Sequence, residues 1–336
     1  MNNFSRLVLM TVCLCCLMVP GIWLLVPGAQ AQSSSQKFAT WLELLRAEAR
    51  STGISQETVA AAMADIKAPQ QRVINHDQKQ PEKTQSLEDY VATRVSKERI
   101  AEGRRMLRRY PIWLGRIERQ YGVQRRFIVA LWGIESSYGQ HTGKLPVIQS
   151  LVTLAYDGRR GDYFRKELLE ALRILDAGHI ALPDMKGSWA GAMGQFQFMP
   201  SSYRHYAVDA NGDGRIDIWN SIPDTLASAA NYLAKAGWQN DQTWGRPVKL
   251  PGKFNFFLAG LKTRLPLSRW QALGVRRSNG RALPHRELQA SLIIPDGPDG
   301  PAYLIYSNFR ALRRWNRSNS FAVAVGTLSD RYNVKK

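Results

Sequence analysis

The sequence predicts an α+β fold that is mainly α. Three observations carry this: an amphipathic stripe near the start, a middle segment of short helical runs broken by glycine-rich turns, and a later stretch punctuated by proline and glycine. The 336 residues can bury a substantial core, and at roughly 150 residues per domain they make one elaborate domain or two intertwined ones.

In chain order, Arg6 precedes an apolar run over residues 7–26 that ends in Ala29-Gln30-Ala31, the pattern of a secretory signal peptide cleaved after Ala31. An uncleaved anchor is the alternative, because the run approaches the roughly 20 residues that span a bilayer. All three cysteines, Cys13, Cys15 and Cys16, fall in this segment, so the mature chain has none and no disulfide to rely on. The residues before them (Val12, Leu14, Cys15) are not the small ones expected ahead of a lipid-attached cysteine. Residues 33–36 read as a polar linker, and Phe38, Trp41, Leu42 and Leu45 then recur at helical spacing. A second helix follows Gly53, polar residues 75–84 break the pattern, and helical periodicity resumes over residues 87–117. Residues 121–238 read as short helices. Pro247, Pro251, Gly252, Pro266, Gly274, Gly280 and Pro284 mark strands and loops, and residues 302–309 and 321–327 return to runs that suit helix or strand.

A formal charge of +19 and a pI near 10.1 imply attraction to a polyanion: nucleic acid, anionic lipid or the acidic polymers of a cell wall. Charge alone does not choose, but no RNA-recognition, zinc-finger or helix-turn-helix signature is present. The histidines His76, His141, His179, His205 and His285 lack paired spacing, which removes zinc chemistry; serine-nucleophile and phosphate-loop patterns are absent too.

The most informative acid is Glu135. On a helix it shares a stripe with Ile128 and Leu131 and sits just before Gly139, so its carboxyl projects from an apolar face near a helix end. Burial there raises its pKa and keeps it protonated, as a general acid must be. The plainer alternative is a glutamate paired with a nearby Arg or Ser. Residues 188–200 set small residues beside Gln195 and Gln197, amides able to hold sugar hydroxyls, and beside Trp189, Phe196 and Phe198, which suit either sugar stacking or the core.

With these residues in view, the chain resembles the lytic murein transglycosylase B family over nearly all of its mature length. The likeness rests on Gln80-Pro81-Glu82, Ala130-Leu131-Trp132-Gly133-Ile134-Glu135, Thr153-Leu154-Ala155-Tyr156-Asp157-Gly158-Arg159-Arg160, Gly187-Ser188-Trp189-Ala190-Gly191-Ala192-Met193-Gly194-Gln195, Gln197-Phe198-Met199-Pro200-Ser201-Ser202-Tyr203, Tyr306-Ser307-Asn308-Phe309 and Arg314-Trp315-Asn316. The resemblance implies a lysozyme-like helical core over residues 105–240, completed by residues 301–336. It adds an N-terminal helical region at 32–104 and a small β-containing insertion at 241–300. It makes Glu135 the catalytic acid, and Arg159, Arg160, Ser188, Gln197, Phe198, Tyr232 and Asn316 the lining of a glycan cleft, the two arginines facing peptide-stem or lactyl carboxylates. Trp315 and Phe321 depart from it, standing where some members carry tyrosine.

The implied reaction is cleavage of the bond between N-acetylmuramic acid and N-acetylglucosamine in peptidoglycan. One acid serves because the muramoyl C6 hydroxyl is the nucleophile, where ordinary glycosidases need two carboxylates. Asp157 and Asp162, the nearest acids in sequence, are given structural or surface roles. The alternatives are a hydrolytic muramidase and a catalytically silent wall-binding protein. Expected partners are glycan strands and other cell-wall enzymes, not nucleic acid, and the expected place is the periplasm with no membrane span once the signal is removed.

Residues 209–220 form a calcium-loop pattern: Asp209, Asn211, Asp213 and Asp217 at positions one, three, five and nine, Gly214 at the turn, the carbonyl of Arg215 at seven. Asn220 holds the closing position, and the family's longer loop favours Asp224 as the closing ligand. A structural calcium ion bracing the cleft wall is expected, with no organic cofactor. An Asp/Gly turn held by its own hydrogen bonds is the alternative.

Overall fold

The computed structural model describes residues 28–79 and 85–332, so most of the expected signal segment and the Gln80-Pro81-Glu82 motif lie outside it. Helix α1 (Gly28–Ser51) runs straight through residues 33–36, where a linker was expected, because nothing after Gly28 breaks it: the next 23 residues contain neither proline nor glycine. Its predicted stripe is real, with Phe38, Leu42 and Leu45 buried and Trp41 half-buried. Then come α2 (Gln56–Met63) and α3 (Gln71–Gln78), the latter extending into residues expected to be irregular. The long periodic stretch from residue 87 divides into α4 (Leu87–Arg94), α5 (Lys97–Arg109) and α6 (Pro111–Tyr121). Local chemistry sets the breaks: Ser86 and Ser96 accept from the amides of Asp89 and Arg99 as N-caps, and Pro111 opens α6 where its missing N–H costs nothing.

At the centre lies α7 (Arg125–Ser136), buried from Phe127 to Ile134. It packs against α5, α6, α11 (Ile222–Lys235) and α14 (Asn319–Tyr332). Alongside, α8 (Val147–Asp157) and α9 (Gly161–Asp176) form a hairpin, and α10 (Pro200–Tyr206) rests on α9. A two-stranded ribbon, β1 (Leu145–Pro146) with β2 (Lys186–Gly187), ties the α8 end to the glycine-rich loop that follows.

The Pro/Gly-punctuated region is an antiparallel sheet of β3 (Gly245–Lys249), β4 (Leu265–Pro266), β5 (Arg276–Arg277), β6 (Gln289–Ile293) and β7 (Ala302–Ile305), in the order β4-β6-β7-β3-β5, with α12 (Leu267–Ala272) against it. It has its own small core of Val248, Leu267, Trp270, Leu292, Leu304 and Tyr306. The chain then leaves β7 for α13 (Ser307–Trp315) and α14, whose Phe309, Leu312, Phe321, Val325 and Leu328 join the main core. Residues 302–309 thus split between strand and helix, and 321–327 are helical. Gly326 lets α14 approach Trp244 so closely that a Cβ would lie 2.2 Å from the indole.

Candidate active site

Glu135 occupies the last turn of α7, beside the buried Ile134 and Ser136. Ser137 (φ 50°), Tyr138 (φ 62°) and Gly139 (φ 86°) follow in the left-handed region, two of them non-glycine residues in a conformation that costs energy. The surroundings hold the turn on several sides. Ser136 Oγ donates to the Gln195 carbonyl (2.5 Å) and accepts from the Gly139 amide (2.9 Å), while Tyr138 Oη donates to the Arg99 carbonyl (2.6 Å) and meets Tyr332 Oη (2.9 Å). The helix therefore stops abruptly, leaving Glu135 at the edge of the core.

Its carboxyl is partly exposed at the residue level but enclosed by protein. Trp315, the last residue of α13, donates from Nε1 to Glu135 Oε1 at 2.6 Å. The charge of Arg94 on α4 acts on it, and its own charge acts on Tyr90 of the same helix. Burial pushes the carboxyl up from 4.5 to about 8, against the opposing pull of the Trp315 hydrogen bond and the Arg94 charge. The acid is thus mainly neutral at neutral pH.

An aromatic wall backs Trp315: Tyr232 at 4.5 Å between ring centroids, Phe198 at 5.0 Å and Phe196 at 6.1 Å. Phe198, expected to line the cleft, is only 2% exposed and lies behind the indole as its support. Tyr232 is half-buried, its Oη donating to the Arg314 carbonyl (2.7 Å), and the neighbouring Asn316 is exposed with Oδ1 accepting from Ser318 N (3.0 Å). On the glycine-rich loop, Gln197 adopts φ 50° and donates both Nε2 hydrogens inward, to the carbonyls of Thr142 (3.0 Å) and Gly194 (2.9 Å). Ser188 Oγ caps the Ala192 amide (3.0 Å) at the loop's other end. Gln195 is a brace: its Oε1 accepts from Trp132 Nε1 (3.0 Å), its Nε2 donates to the Trp219 carbonyl (2.8 Å), and the side chain is buried between them.

Arg159 and Arg160 share a partner that the sequence did not announce. Both guanidiniums bind Asp77 of α3, Arg159 Nε at 2.7 Å and Arg160 Nη2 at 2.6 Å, and Arg159 Nη2 also reaches the Asp77 carbonyl (2.8 Å). Asp77 is buried, and the Arg159 hydrogen bond first, with Arg160 beside it, outweighs desolvation to hold its carboxyl below the usual range. One residue away, His76 stacks on Trp189 of the loop at 6.3 Å. The arginines therefore latch α3 over the turn joining α8 to α9, with their outer faces still open to water. Sequence reading passed over Asp77, in a polar stretch without periodicity, and gave Trp315 no link to Glu135, 180 residues away.

In the calcium-type loop, Asp209 accepts from the amides of Gly212 (2.7 Å) and Gly214 (2.8 Å), Asn211 Oδ1 from Asp213 N (3.0 Å), and Asp213 Oδ1 from Arg215 N (2.8 Å). The Gly214 amide contributes most to holding the Asp209 carboxyl below its usual range. Asp224, expected to close the loop as a ligand, closes it differently. It is fully buried, Oδ1 accepting from Ala210 N (2.8 Å) and Asn211 N (3.3 Å), Oδ2 from Asp217 N (3.0 Å). Among the described residues no three His, Cys, Asp or Glu side chains group as metal ligands. The remaining donor set, two carboxylates, one amide and the Arg215 carbonyl on a loop turned by Gly212 and Gly214, fits a hard oxygen-seeking cation. The loop also touches the cleft wall, since Gln195 N donates to the Ile218 carbonyl (3.0 Å).

The family model of the transglycosylase SLT domain matches residues 37–330. The chain belongs to that family. This SLT-family chain is 35% identical over 237 residues, 70% of its length, to the membrane-bound lytic murein transglycosylase B of Escherichia coli K12, spanning 64% of that relative, less than two thirds. It is similar in structure to SltB3 of Pseudomonas aeruginosa, solved in complex with NAG-anhNAM-pentapeptide (TM-score 0.85, 43% identity, 88% of this chain and 79% of that one). It is also similar to the E. coli lytic transglycosylase Slt35, solved in complex with calcium (TM-score 0.72, 29% identity, 89% and 92%). The mainly α, lysozyme-like expectation holds for this SLT-family fold.

Proposed function

We propose that this protein is a lytic transglycosylase that cleaves the β-1,4 bond between N-acetylmuramic acid and N-acetylglucosamine in peptidoglycan, leaving a 1,6-anhydromuramoyl end. The observation that carries the reading is an enclosed carboxyl, Glu135, raised to about 8 by burial and set against an aromatic wall. Neutral Glu135 protonates the bridging oxygen as the C1–O bond breaks; the resulting carboxylate takes the proton of the muramoyl C6 hydroxyl as that oxygen bonds to C1. The tethered nucleophile supplies proximity, so the reaction needs no second carboxylate. The relatives support the substrate class: one is named a lytic murein transglycosylase, and SltB3 structures hold NAG-anhNAM-pentapeptide and NAG-NAM-pentapeptide.

In this reading Ser188, Gln197 (through Oε1), Tyr232 and Asn316 border the glycan, and the outer faces of Arg159 and Arg160 meet its peptide carboxylates while Asp77 fixes them. A structural calcium ion is held by Asp209, Asn211, Asp213 and the Arg215 carbonyl, Asp224 bracing the loop from inside. It supplies rigidity to the loop that carries Ile218 and Trp219, and no chemistry. The place of action is the periplasm, following from the export signal read in residues 1–31. Among the described residues no helix is long and apolar enough to cross a membrane.

Digestion of purified sacculi followed by mass spectrometry tests the reaction. Anhydromuramoyl ends are expected from the wild type, and from Glu135→Gln binding without release. Reducing muramic ends alone mean a hydrolytic muramidase, and release unchanged in Glu135→Gln removes the glutamate from the chemistry.

A further inference from the structure

The donor on Glu135 is an indole, and its chemistry distinguishes the two carboxyl oxygens. An indole N–H donates and cannot accept, whereas a phenol or an alcohol does either. A neutral carboxylic acid has one carbonyl oxygen and one hydroxyl oxygen, and the carbonyl oxygen is the better acceptor. With Trp315 Nε1 at 2.6 Å from Oε1, the favoured neutral form therefore has its carbonyl at Oε1 and its proton on Oε2. The other neighbours do not undo this assignment. Arg94, on α4, acts on Glu135 through its charge, which favours the carboxylate without choosing between the two oxygens, and Tyr90 beside it has its phenol pushed up chiefly by burial, so it stays protonated. The indole is itself immobilised by Tyr232, Phe198 and Phe196 packed against it, and by its position at the end of α13.

Resting on the proposed transglycosylase reaction, we infer that Trp315 is a positioning residue that confines the acidic proton of Glu135 to Oε2, the oxygen left to face the glycosidic bond. The first proton transfer then runs from Oε2 to the bridging oxygen as the C1–O bond breaks. In the second transfer the C6 hydroxyl returns a proton to Oε2 as its oxygen bonds to C1, restoring the starting acid. Throughout both steps the Trp315 bond to Oε1 stays in place, strengthening while Glu135 is a carboxylate and relaxing when it is neutral. Trp315 need not touch substrate for this.

The test compares Trp315→Phe, which keeps an aromatic ring and removes the donor, with Trp315→Tyr, which restores one. Substrate is a soluble glycan strand, read by kcat, KM and pH profile. With orientation lost, kcat in Trp315→Phe falls on the order of 10- to 100-fold with KM within about 2-fold of wild type. The basic limb of the profile moves up by about one unit, because a donor that favours the carboxylate is gone. Trp315→Tyr, whose phenol can accept from the acid as well as donate to it, recovers only part of kcat. An unchanged kcat and pH profile in a folded Trp315→Phe overturns the inference, as does a rise in KM alone, which makes the indole a sugar platform. A measurement on the unaltered protein covers the case of a misfolded variant: the 15N-indole signal of Trp315 shifts on titration in wild type and not in Glu135→Gln. A pH-independent signal overturns the proposal. Failure of the transglycosylase reading has a different signature, wild-type protein releasing no anhydro product.

Discussion

Glu135→Gln is expected to make the protein more stable, by an amount that depends on pH. In the folded state the carboxyl has a pKa of about 8 against 4.5 for the free group, because burial disfavours its charge. Between those values the native state holds a proton that the unfolded state has released, so wild-type stability is fully present below 4.5 and declines as pH rises towards 8. At about 1.4 kcal/mol per pH unit, the gap between 4.5 and about 8 sets a ceiling near 5 kcal/mol on that decline. Relaxation and the partial exposure of the residue reduce it to about 2–4 kcal/mol. Glutamine keeps the oxygen that accepts from Trp315 and has no charge to desolvate, so the variant escapes the decline. Urea denaturation at intervals from pH 4 to pH 9 measures it: the curves coincide at the acid end, separate from about pH 5, and run parallel above pH 8. A stability gap that is constant with pH, or a variant less stable than wild type at pH 8, refutes the assignment of a desolvated, neutral acid.

Asp77→Asn removes the charge that both Arg159 and Arg160 grip, and because those guanidiniums are about half in water (52% and 44% side-chain exposure) the expected loss is about 1–3 kcal/mol at pH 7. The Asp77 carboxyl is held below its usual pKa, so its contribution is present above about 3.8 and fades as pH falls through its lowered folded value; equal urea midpoints at pH 7 argue against the latch. Asp224→Ala leaves the amides of Ala210, Asn211 and Asp217 without their acceptor and is expected to cost about 2–4 kcal/mol with or without calcium. Asp213→Ala, by contrast, leaves the calcium-free Tm within a few degrees and abolishes a calcium-dependent rise; a wild-type Tm indifferent to calcium removes the ion from the account.

The parts of this fold that sequence reading reached are those with short-range causes. A stripe at residues 38–45 meets the core because helical spacing repeats within two turns, and the apolar face under Glu135 is legible for the same reason. Boundaries were read less well: one serine cap at 96 and one proline at 111 divided a continuous pattern that hydrophobicity alone joined. What escaped is long-range pairing. The Trp315 indole reaches Glu135 only because β7 returns the chain to α13, and Asp77 reaches Arg159 only because α3 folds onto the α8–α9 turn. Arginines in a motif do not disclose in sequence which carboxylate fixes them. Gln195 and Gln197 look alike in sequence, and only the burial of Gln195 between Trp132 and the Trp219 carbonyl tells the brace from its neighbour.

The abrupt end of α7 has an electrostatic reach of its own. Aligned peptide dipoles leave about half a negative charge at a helix C-terminus, and Glu135 lies one residue before the end of α7. A negative charge near such a helix end is disfavoured by the aligned dipoles. The left-handed run at residues 137–139 holds that pole in place by stopping the helix from winding on. Acid strength in this protein is thus written partly into where a helix stops, and a turn that restored helical winding after Ser136 would make a better carboxylate and a poorer proton donor.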